Sequence, residues 1–359
     1  MTHRELAQKL GVSPATLSLV INHKPGLSQA TRTRVLEQLE TLGLQDILRK
    51  PDTSTEQSDT APGNNICFVA YKRHGKILDF SPFFLLIMES VESCAHKHGY
   101  NLLFLTIDRR QPIPEQIRRL REMDCAGAII FATEMLADDV LIFDQLPFPH
   151  VILDNDFPEL NIDSVAINNL IGTYQAIEHL VQLGHRKIGY LKSSAFINSF
   201  GERDLGFRQA LARFSLPLEE QFIVSLNYTE EGSYQEFRSF LARSPELPTA
   251  FVTDDDTIAA GVMKALSEAG LRVPEDISIV GFNDRPVCDL TNPPMTSIRV
   301  PKYAFGAMAI DLLIKRMHDA NIRRDAIHSL KYRIGTELVA RESTSQPPSI
   351  AEKHLSREP

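Results

Sequence analysis

The sequence predicts a small all-α domain at the amino terminus, followed by a core of two α/β lobes with parallel sheets. Residues 1–44 contain three short helical patterns, and residues 51–63 contain no large apolar residue. From Asn64 onward, apolar runs of strand length alternate with amphipathic helical patterns, and the alternation runs twice in succession. Such alternation is typical of parallel sheets with helices on both faces, so two runs indicate two similar lobes.

The composition is that of a folded chain with more than one domain. Of the 359 residues, 43% are hydrophobic and 23% are charged, and at roughly 100–200 residues per domain two or three domains are expected. The net charge is −8, yet residues 1–50 carry seven Lys or Arg and four Asp or Glu, a net +3 that leaves −11 for the remainder. A basic segment on an acidic body indicates that the amino terminus binds nucleic acid.

Several classes of protein are disfavoured by simple absences in the sequence. The four cysteines are far apart, and none lies in a C-x-x-C pair, so neither a zinc site nor a disulfide framework is expected. No apolar run reaches the roughly 18 residues of a membrane helix, and the first ten residues lack the apolar stretch of a secretory signal. We therefore expect a cytoplasmic protein without cofactor, metal or membrane partner.

The amino-terminal segment has the local signals of two helices joined by a tight turn. The first helix stops at Gly11, and Ser13 is an N-cap with Pro14 at the first helical position of a second helix. Ser28 caps a third helix. This arrangement can place the second helix in the major groove of DNA, although a three-helix domain without DNA binding has the same pattern.

The outward face of the second helix supplies the candidates for DNA contact. Leu17, Val20 and Ile21 repeat at helical spacing and are expected to pack inward. The short side chains opposite them can contact thymine methyl groups or phosphate oxygens. The DNA-binding candidates are Ser13, Pro14, Ala15, Thr16, Ser18, Leu19, Asn22, Ser28 and Thr31.

The segment LAQKLGVSPATLSLVINHKPGLSQATRTRVLEQLETLG closely resembles the headpiece of lactose-repressor-type (LacI/GalR) regulators. The resemblance implies that Pro14, Ala15 and Leu19 face the bases; all three are apolar, so DNA shape and phosphate contacts are expected to contribute much of the recognition. The hinge departs from the family pattern, because LQDILRKPDTS lacks the usual Pro-Asn pair and has Thr53 at the position of the wedge leucine. The resemblance therefore does not predict the family's hinge helix in this chain.

The resemblance extends over the core and implies the fold of bilobed periplasmic sugar-binding proteins. It is carried by segments such as Gly184–Gly189, Val273–Asp284 and Pro293–Ile298. The predicted domains are a helix-turn-helix at 1–45, a hinge or linker at 46–63, an effector-binding and dimerisation core at 64–342 and a disordered tail at 343–359. Within the core, lobe 1 takes about 64–167 and about 299–325, and lobe 2 takes about 168–297 and about 328–342.

The same resemblance implies an effector site between the lobes. Arg203, three residues before Gly206, matches the family's effector-binding arginine, whose guanidinium suits hydroxyl groups or a carboxylate. Tyr228 matches an aromatic residue that stacks on the ligand. The effector-binding candidates are Ser81, Phe83, Asp154, Arg203, Tyr228, Asp255 and Asn283.

Other interpretations of these residues remain open at the level of sequence. A lone Arg or Asp after a strand also serves as a cap or ion pair, and Tyr228 also fits a core position. Asp254–Asp256 could attract a cation, although Asp256 fits a helix N-cap better. The loop YKRHGKILDFSPFF is longer than usual in the family, so the basic residues 72–74 reach either the ligand or only solvent.

The predicted function is a ligand-responsive transcriptional regulator, expected to act as a repressor. It would bind a pseudo-palindromic double-stranded DNA operator as a homodimer, since the tail lacks the leucine heptads of a tetramer, and its small-molecule effector would be a sugar or sugar derivative. A transport-type sugar-binding receptor is the alternative, and the headpiece argues against it. An enzyme is not expected, because no G-x-S-x-G or phosphate-loop motif is present.

Overall fold

The computed structural model describes residues 10–13, 16, 31, 33–35, 63–79, 83–318 and 328–348. The chain forms two compact units, Met1–Ala61 and Pro62–Pro359, divided two residues before the predicted start of the core. Within the described ranges, no helix is long and apolar enough to cross a membrane.

The second unit alternates strands and helices along its whole described length. In chain order its elements are β1 (Asn65–Lys72), α1 (Phe83–Lys97), β2 (Asn101–Asp108), α2 (Ile113–Glu122), β3 (Gly127–Phe131), α3 (Ala137–Val140), β4 (His150–Leu153), β5 (Ser164–Ile167), α4 (Asn169–Gln182), β6 (Ile188–Ser193), α5 (Asn198–Arg213), β7 (Ile223–Leu226), α6 (Glu230–Leu241), β8 (Ala250–Thr253), α7 (Asp256–Glu268), β9 (Ser278–Asn283), α8 (Val287–Leu290), β10 (Thr296–Arg299), α9 (Lys302–His318), β11 (Lys331–Ile334) and β12 (Glu337–Val339). Short 3-10 helices lie at Leu141–Gln145 and Glu220–Phe222.

The strands form two six-stranded sheets, one in each lobe. Lobe 1 has the order β11-β5-β4-β3-β1-β2 with every pair parallel. Lobe 2 has the order β12-β10-β9-β8-β6-β7, in which only the β10–β12 pair is antiparallel. All residues of β3 and β9 are buried, as expected for central strands covered by helices on both faces. The predicted two-lobed α/β class is confirmed.

The chain crosses between the lobes three times. The segment before the last crossing, β11, lies in lobe 1, although residues of about 328–342 were predicted to belong to lobe 2. Helix α9 follows β10 of lobe 2 but packs on α1 and on β3, β4 and β5 of lobe 1. Strand β11 then pairs with β5 in lobe 1, and β12 pairs with β10 in lobe 2. The assignment of about 328–342 to lobe 2 was therefore wrong for Lys331–Ile334, because the backbone of β11 completes the edge of the first sheet.

The predicted disordered tail begins too early. Ser343 is fully buried, donates its hydroxyl to the carbonyl of Ile279 at 2.6 Å and accepts from the amide of Thr296 at 2.8 Å. The carbonyl of Ser345 lies 2.8 Å from Nε2 of His185. Residues 343–348 therefore pack on lobe 2, because they satisfy polar groups of the strands and loops there; residues 349–359 lie outside the described residues.

In the first unit, the described residues fit the predicted turn between two helices. Gly11 has a φ of +61°, a conformation that costs glycine little, and Leu10 and Val35 are buried. The hydroxyl of Ser13 accepts from the amide of Thr16 at 3.0 Å, which confirms Ser13 as an N-cap.

Replacing Ser13 with alanine is expected to weaken the second helix by about 1 kcal/mol, because the amide of Thr16 loses its acceptor. Hydrogen exchange of the Thr16 amide measures the effect and should be several-fold faster in Ser13→Ala. Ser13→Asn keeps a capping oxygen and is expected to exchange like the wild type. Equal exchange in all three proteins would rule out the cap.

Candidate functional site

A pocket lies between the two lobes, at the carboxyl ends of their parallel strands. This is where open α/β sheets bind ligands. Its walls are Ile77, Thr133, Asp154 and Ile167 of lobe 1 and Ile197, Ser199, Phe200, Arg203, Tyr228, Asp255 and Asn283 of lobe 2. The structure thus brings together five of the seven effector-binding candidates.

Arg203 lies near the start of α5 and is the central cation of this pocket. Its side chain is only 3% exposed, and its Nε donates to Oδ1 of Asn169 at 2.9 Å. One terminal nitrogen donates to the carbonyl of Asp254, and the guanidinium lies 3.7 Å from the ring centroid of Phe282. These contacts hold the guanidinium in one orientation, while its other terminal nitrogen lies 3.4 Å from Oδ1 of Asn283.

Asp154 is the acidic group that lobe 1 contributes. It follows β4 with a φ of +69°, a strained conformation for a residue with a side chain, and its carboxylate accepts from the hydroxyl of Thr133 at 2.5 Å. Burial raises the pKa of Asp154 to about 6, although the Thr133 hydroxyl and the charge of Arg203 act in the opposite direction. The carboxyl group can therefore donate or accept a proton near neutral pH.

Asp255 and Asn283 form the polar wall of lobe 2. Nδ2 of Asn283 donates to Oδ2 of Asp255 at 2.6 Å, and Nη1 of Arg285 contacts Oδ1 of Asp255 at 2.9 Å. Asn283 has a φ of +99°, so strained backbone lies at a strand end in each lobe. The charge of Asp255 is balanced by Arg285, which leaves its oxygens as hydrogen-bond acceptors.

The three consecutive aspartates have three different roles. Asp254 accepts from the hydroxyl of Tyr190 and the amide of Ser193, whereas Asp255 lies in the pocket. The prediction of Asp256 as the N-cap of α7 was wrong: the cap is Asp255, which accepts from the amide of Thr257 at 2.8 Å. Extended backbone at Asp255 lets its carboxylate fold back over the first turn, while Asp256 is the first helical residue. Among the described residues, no group of three or more His, Cys, Asp or Glu is placed to hold a metal ion.

Tyr228 follows β7 and belongs to both the pocket wall and the core of lobe 2. It is 3% exposed, and its ring centroid lies 6.0 Å from that of Phe200, which also lines the pocket. The two rings contribute apolar surface to the pocket that the polar groups also line.

The loop after β1 reaches the pocket through a residue that the sequence did not single out. Ser81 lies outside the described residues, and of Phe83 only its place at the start of α1 is described. Ile77 is 3% exposed, lines the pocket and packs into the core of lobe 2. No local signal marks an isoleucine in a basic loop as a pocket residue.

Glu134 holds this loop against lobe 1. Its buried carboxylate accepts the backbone amides of residues 73, 74, 75, 77 and 78 at 2.7–3.1 Å. Burial alone would raise the pKa of Glu134, but these amide bonds outweigh burial and lower it. The basic residues before Ile77 are directed elsewhere: Lys72 pairs with Asp79, Arg73 pairs with Asp139, and Nε2 of His74 lies 3.3 Å from the carbonyl of Phe196.

The pocket holds about 30 Å³ of space, room for two or three water molecules at ~10–15 Å³ each. A sugar therefore requires the lobes or lining side chains to move apart. A larger hollow of about 620 Å³ lies at the amino ends of β4 and β5 in lobe 1. It contains none of the candidate residues and lies at the opposite end of the strands, so the inter-lobe pocket is the candidate effector site.

The DNA-binding candidates are only partly described. Ser13 is exposed and Thr16 and Thr31 are half-buried, and the hydroxyls of Ser13 and Thr16 lie 2.9 Å apart. Pro14, Ala15, Ser18, Leu19, Asn22 and Ser28 lie outside the described residues.

Comparison with known proteins identifies both parts of the chain. Residues 2–45 match the family model of bacterial regulatory proteins, lacI family, and residues 177–344 match the model of a periplasmic binding protein-like domain. A ribose operon repressor of Haemophilus influenzae is 28% identical over 351 residues, which cover 92% of this chain and 99% of the relative.

Further relatives are similar over nearly the same length. The HTH-type transcriptional repressor PurR of Actinobacillus pleuropneumoniae is 28% identical over 320 residues, covering 88% of this chain and 91% of that protein. The solved structure of a transcriptional regulator CelR–cellobiose complex superposes with a TM-score of 0.67 at 25% identity, covering 96% of this chain and 99% of that one.

Proposed function

We propose that this chain, which belongs to the lacI family of bacterial regulatory proteins, is a transcriptional repressor whose affinity for operator DNA depends on a small molecule bound between its lobes. Its relatives over nearly the whole length are repressors. The observation that carries the proposal is the convergence of Asp154 of lobe 1 with Arg203, Asp255 and Asn283 of lobe 2 in one pocket.

The chemistry of the pocket fits a sugar or sugar derivative. A sugar ring has hydroxyl groups at its edge and C–H groups on its faces. Arg203, Asp154 and Asn283 offer donors and acceptors to the edge, while Tyr228 and Phe200 offer an apolar surface to a face. Because Asp255 is balanced by Arg285, the remaining charges are one guanidinium and one carboxyl group, which favours an uncharged ligand.

The proposed mechanism uses the two lobes as the moving parts. A ligand that contacts Asp154 and Arg203 at once favours one orientation of lobe 1 relative to lobe 2. In a homodimer this orientation sets the spacing of two DNA-binding domains on the half-sites of a pseudo-palindrome. A coupling of about 1–3 kcal/mol would change operator affinity roughly 5–150-fold, and operator would change effector affinity by the same factor.

The cellular setting follows from this role. We place the protein in the cytoplasm, where its DNA is, and assign it no catalytic step. A transport-type sugar receptor remains the alternative for the core alone; the lacI-family match of residues 2–45 supports the regulator.

Operator selection from a random duplex pool, followed by fluorescence anisotropy, tests the function. We expect an enriched palindrome whose affinity falls steeply with salt, because phosphate contacts release counterions. One member of a panel of sugars and purines should change that affinity roughly 5–150-fold. Failure to enrich any duplex, or consumption of a sugar by the protein, would contradict the proposal.

A further inference from the structure

A continuous chain of polar contacts leads from Arg203 out of the pocket and into lobe 1. Nε of Arg203 donates to Oδ1 of Asn169 at 2.9 Å, and Nδ2 of Asn169 donates to Oε2 of Glu202 at 2.7 Å. Oε1 of Glu202 then accepts from Nη1 of Arg333 at 2.7 Å. Glu202 lies on α5 of lobe 2 and Arg333 on β11 of lobe 1, so the chain crosses between the lobes.

The side-chain amide of Asn169 can make both of its contacts in only one orientation. It is 1% exposed, and its oxygen and nitrogen are both used, one toward a cation and the other toward an anion. Reversing the amide would place its nitrogen against the guanidinium of Arg203 and its oxygen against the carboxylate of Glu202. The two charges therefore fix the amide, and the amide fixes the plane of the guanidinium.

Arg333 is itself held on the lobe 1 side. Its Nη2 lies 3.0 Å from Oδ2 of Asp156, and Nζ of Lys331 lies 3.0 Å from Oδ1 of the same carboxylate. Burial alone would raise the pKa of Asp156, but Lys331 and Arg333 outweigh it and lower the pKa. Arg333 therefore bridges a carboxylate of each lobe, and separating the lobes would leave Glu202 without this partner.

We propose that Glu202 and Arg333 are positioning residues, which hold the guanidinium of Arg203 through Asn169 and make its orientation depend on how the two lobes are placed. This inference rests on the proposed function, because the role of Arg203 as the effector-binding group is part of that proposal. The ion pair crosses between the lobes, so a movement at either end is transmitted to the other.

The lobe-to-lobe distance gives a test that requires neither DNA nor effector. Nitroxide labels at Glu115→Cys on α2 and Glu231→Cys on α6, both exposed positions, report that distance by double electron–electron resonance. The four natural cysteines are buried, and labelled protein is diluted with unlabelled protein to suppress distances between subunits. Glu202→Gln should broaden the distance distribution or shift its maximum.

Asp204→Asn is the matched control. Asp204 lies on the same helix, its side chain is 28% exposed like that of Glu202, and it pairs with Arg208 within lobe 2. We expect its distance distribution to equal that of the wild type. An unchanged distribution in Glu202→Gln, or an equal change in Asp204→Asn, would overturn the inference.

A second measurement separates positioning from a general loss of stability. The Nε–Hε resonance of Arg203, identified by its absence in Arg203→Lys, should shift in Glu202→Gln and in Arg333→Gln. The double variant should show no further shift, because both changes break one chain of contacts. A resonance that stays in place would overturn the positioning role. Failure of the protein to bind any operator would instead refute the proposed function and leave this result intact.

Discussion

Replacing Arg203 with alanine is expected to abolish the effector response and to leave operator binding by the effector-free protein nearly unchanged. Among the described residues that line the pocket, Arg203 is the only Lys, Arg or His. Its guanidinium contacts Asn169, the carbonyl of Asp254 and Asn283. A hydrogen bond to a charged group contributes about 1.5–3 kcal/mol, so the loss of one ligand contact lowers affinity roughly 10–150-fold.

Anisotropy titrations of the selected duplex, with and without the active panel member, measure this effect. Arg208→Ala is the matched control, because Arg208 lies on the same helix but points away to Asp204 and Glu220. Arg203→Ala also leaves Oδ1 of Asn169 without its donor, at a cost of about 1–3 kcal/mol of stability, so unfolding should be recorded for both variants. An undiminished effector response in Arg203→Ala would refute its assigned role.

Stability is expected to fall between pH 5 and pH 8, because three fully buried carboxyl groups have raised pKa values in the folded state. Burial raises the pKa of Asp254 and of Asp256 from 3.8 to about 7, and that of Asp154 from 3.8 to about 6. Between these values the folded chain binds protons that the unfolded chain has released, so the free energy of unfolding decreases as pH rises and levels off above about 7. At about 1.4 kcal/mol for each tenfold change in proton affinity, the decrease between pH 5 and about pH 7 is on the order of 3 kcal/mol for each of Asp254 and Asp256.

Carboxyl groups with lowered pKa act in another pH window. The contributions of Glu134 and Asp156 are present above their unfolded pKa values of 4.5 and 3.8 and are lost as the pH falls through their lower folded pKa values. They therefore do not act between pH 5 and pH 8. Burial lowers the pKa of His150, His179 and His185, and these groups oppose part of the decrease below about pH 6.5.

Urea unfolding at pH 5 and pH 8 checks this prediction. Asp256→Asn should reduce the difference between the two pH values, since an amide can accept from the amide of Arg285 and donate to the hydroxyl of Ser297. Asp276→Asn removes a carboxylate whose pKa is lowered by Arg272, and it should leave the difference unchanged. An unchanged difference in Asp256→Asn would contradict the raised pKa of Asp256.

Some residues of the inter-lobe site could be predicted from the sequence, and others could not. The family motifs led to Asp154, Arg203, Tyr228, Asp255 and Asn283, because each lies in or beside a short motif of neighbouring residues in the sequence. Those motifs did not lead to Ile77, which enters the pocket because Glu134, more than fifty residues away along the chain, binds the backbone of its loop. They also did not identify the bridge from Glu202 to Arg333, whose residues are separated by 131 positions.

The sequence by itself determined the features that depend on neighbouring residues: the turn at Gly11, the N-cap at Ser13 and the strand–helix alternation of two lobes. The tertiary structure decided that β11 belongs to lobe 1, that residues 343–348 pack on lobe 2 and that Asp255 instead of Asp256 caps α7. The physical reason is the range of the interactions. Capping and periodic burial act over a few residues, whereas strand pairing and polar contacts in the pocket join residues that only the folded chain brings together.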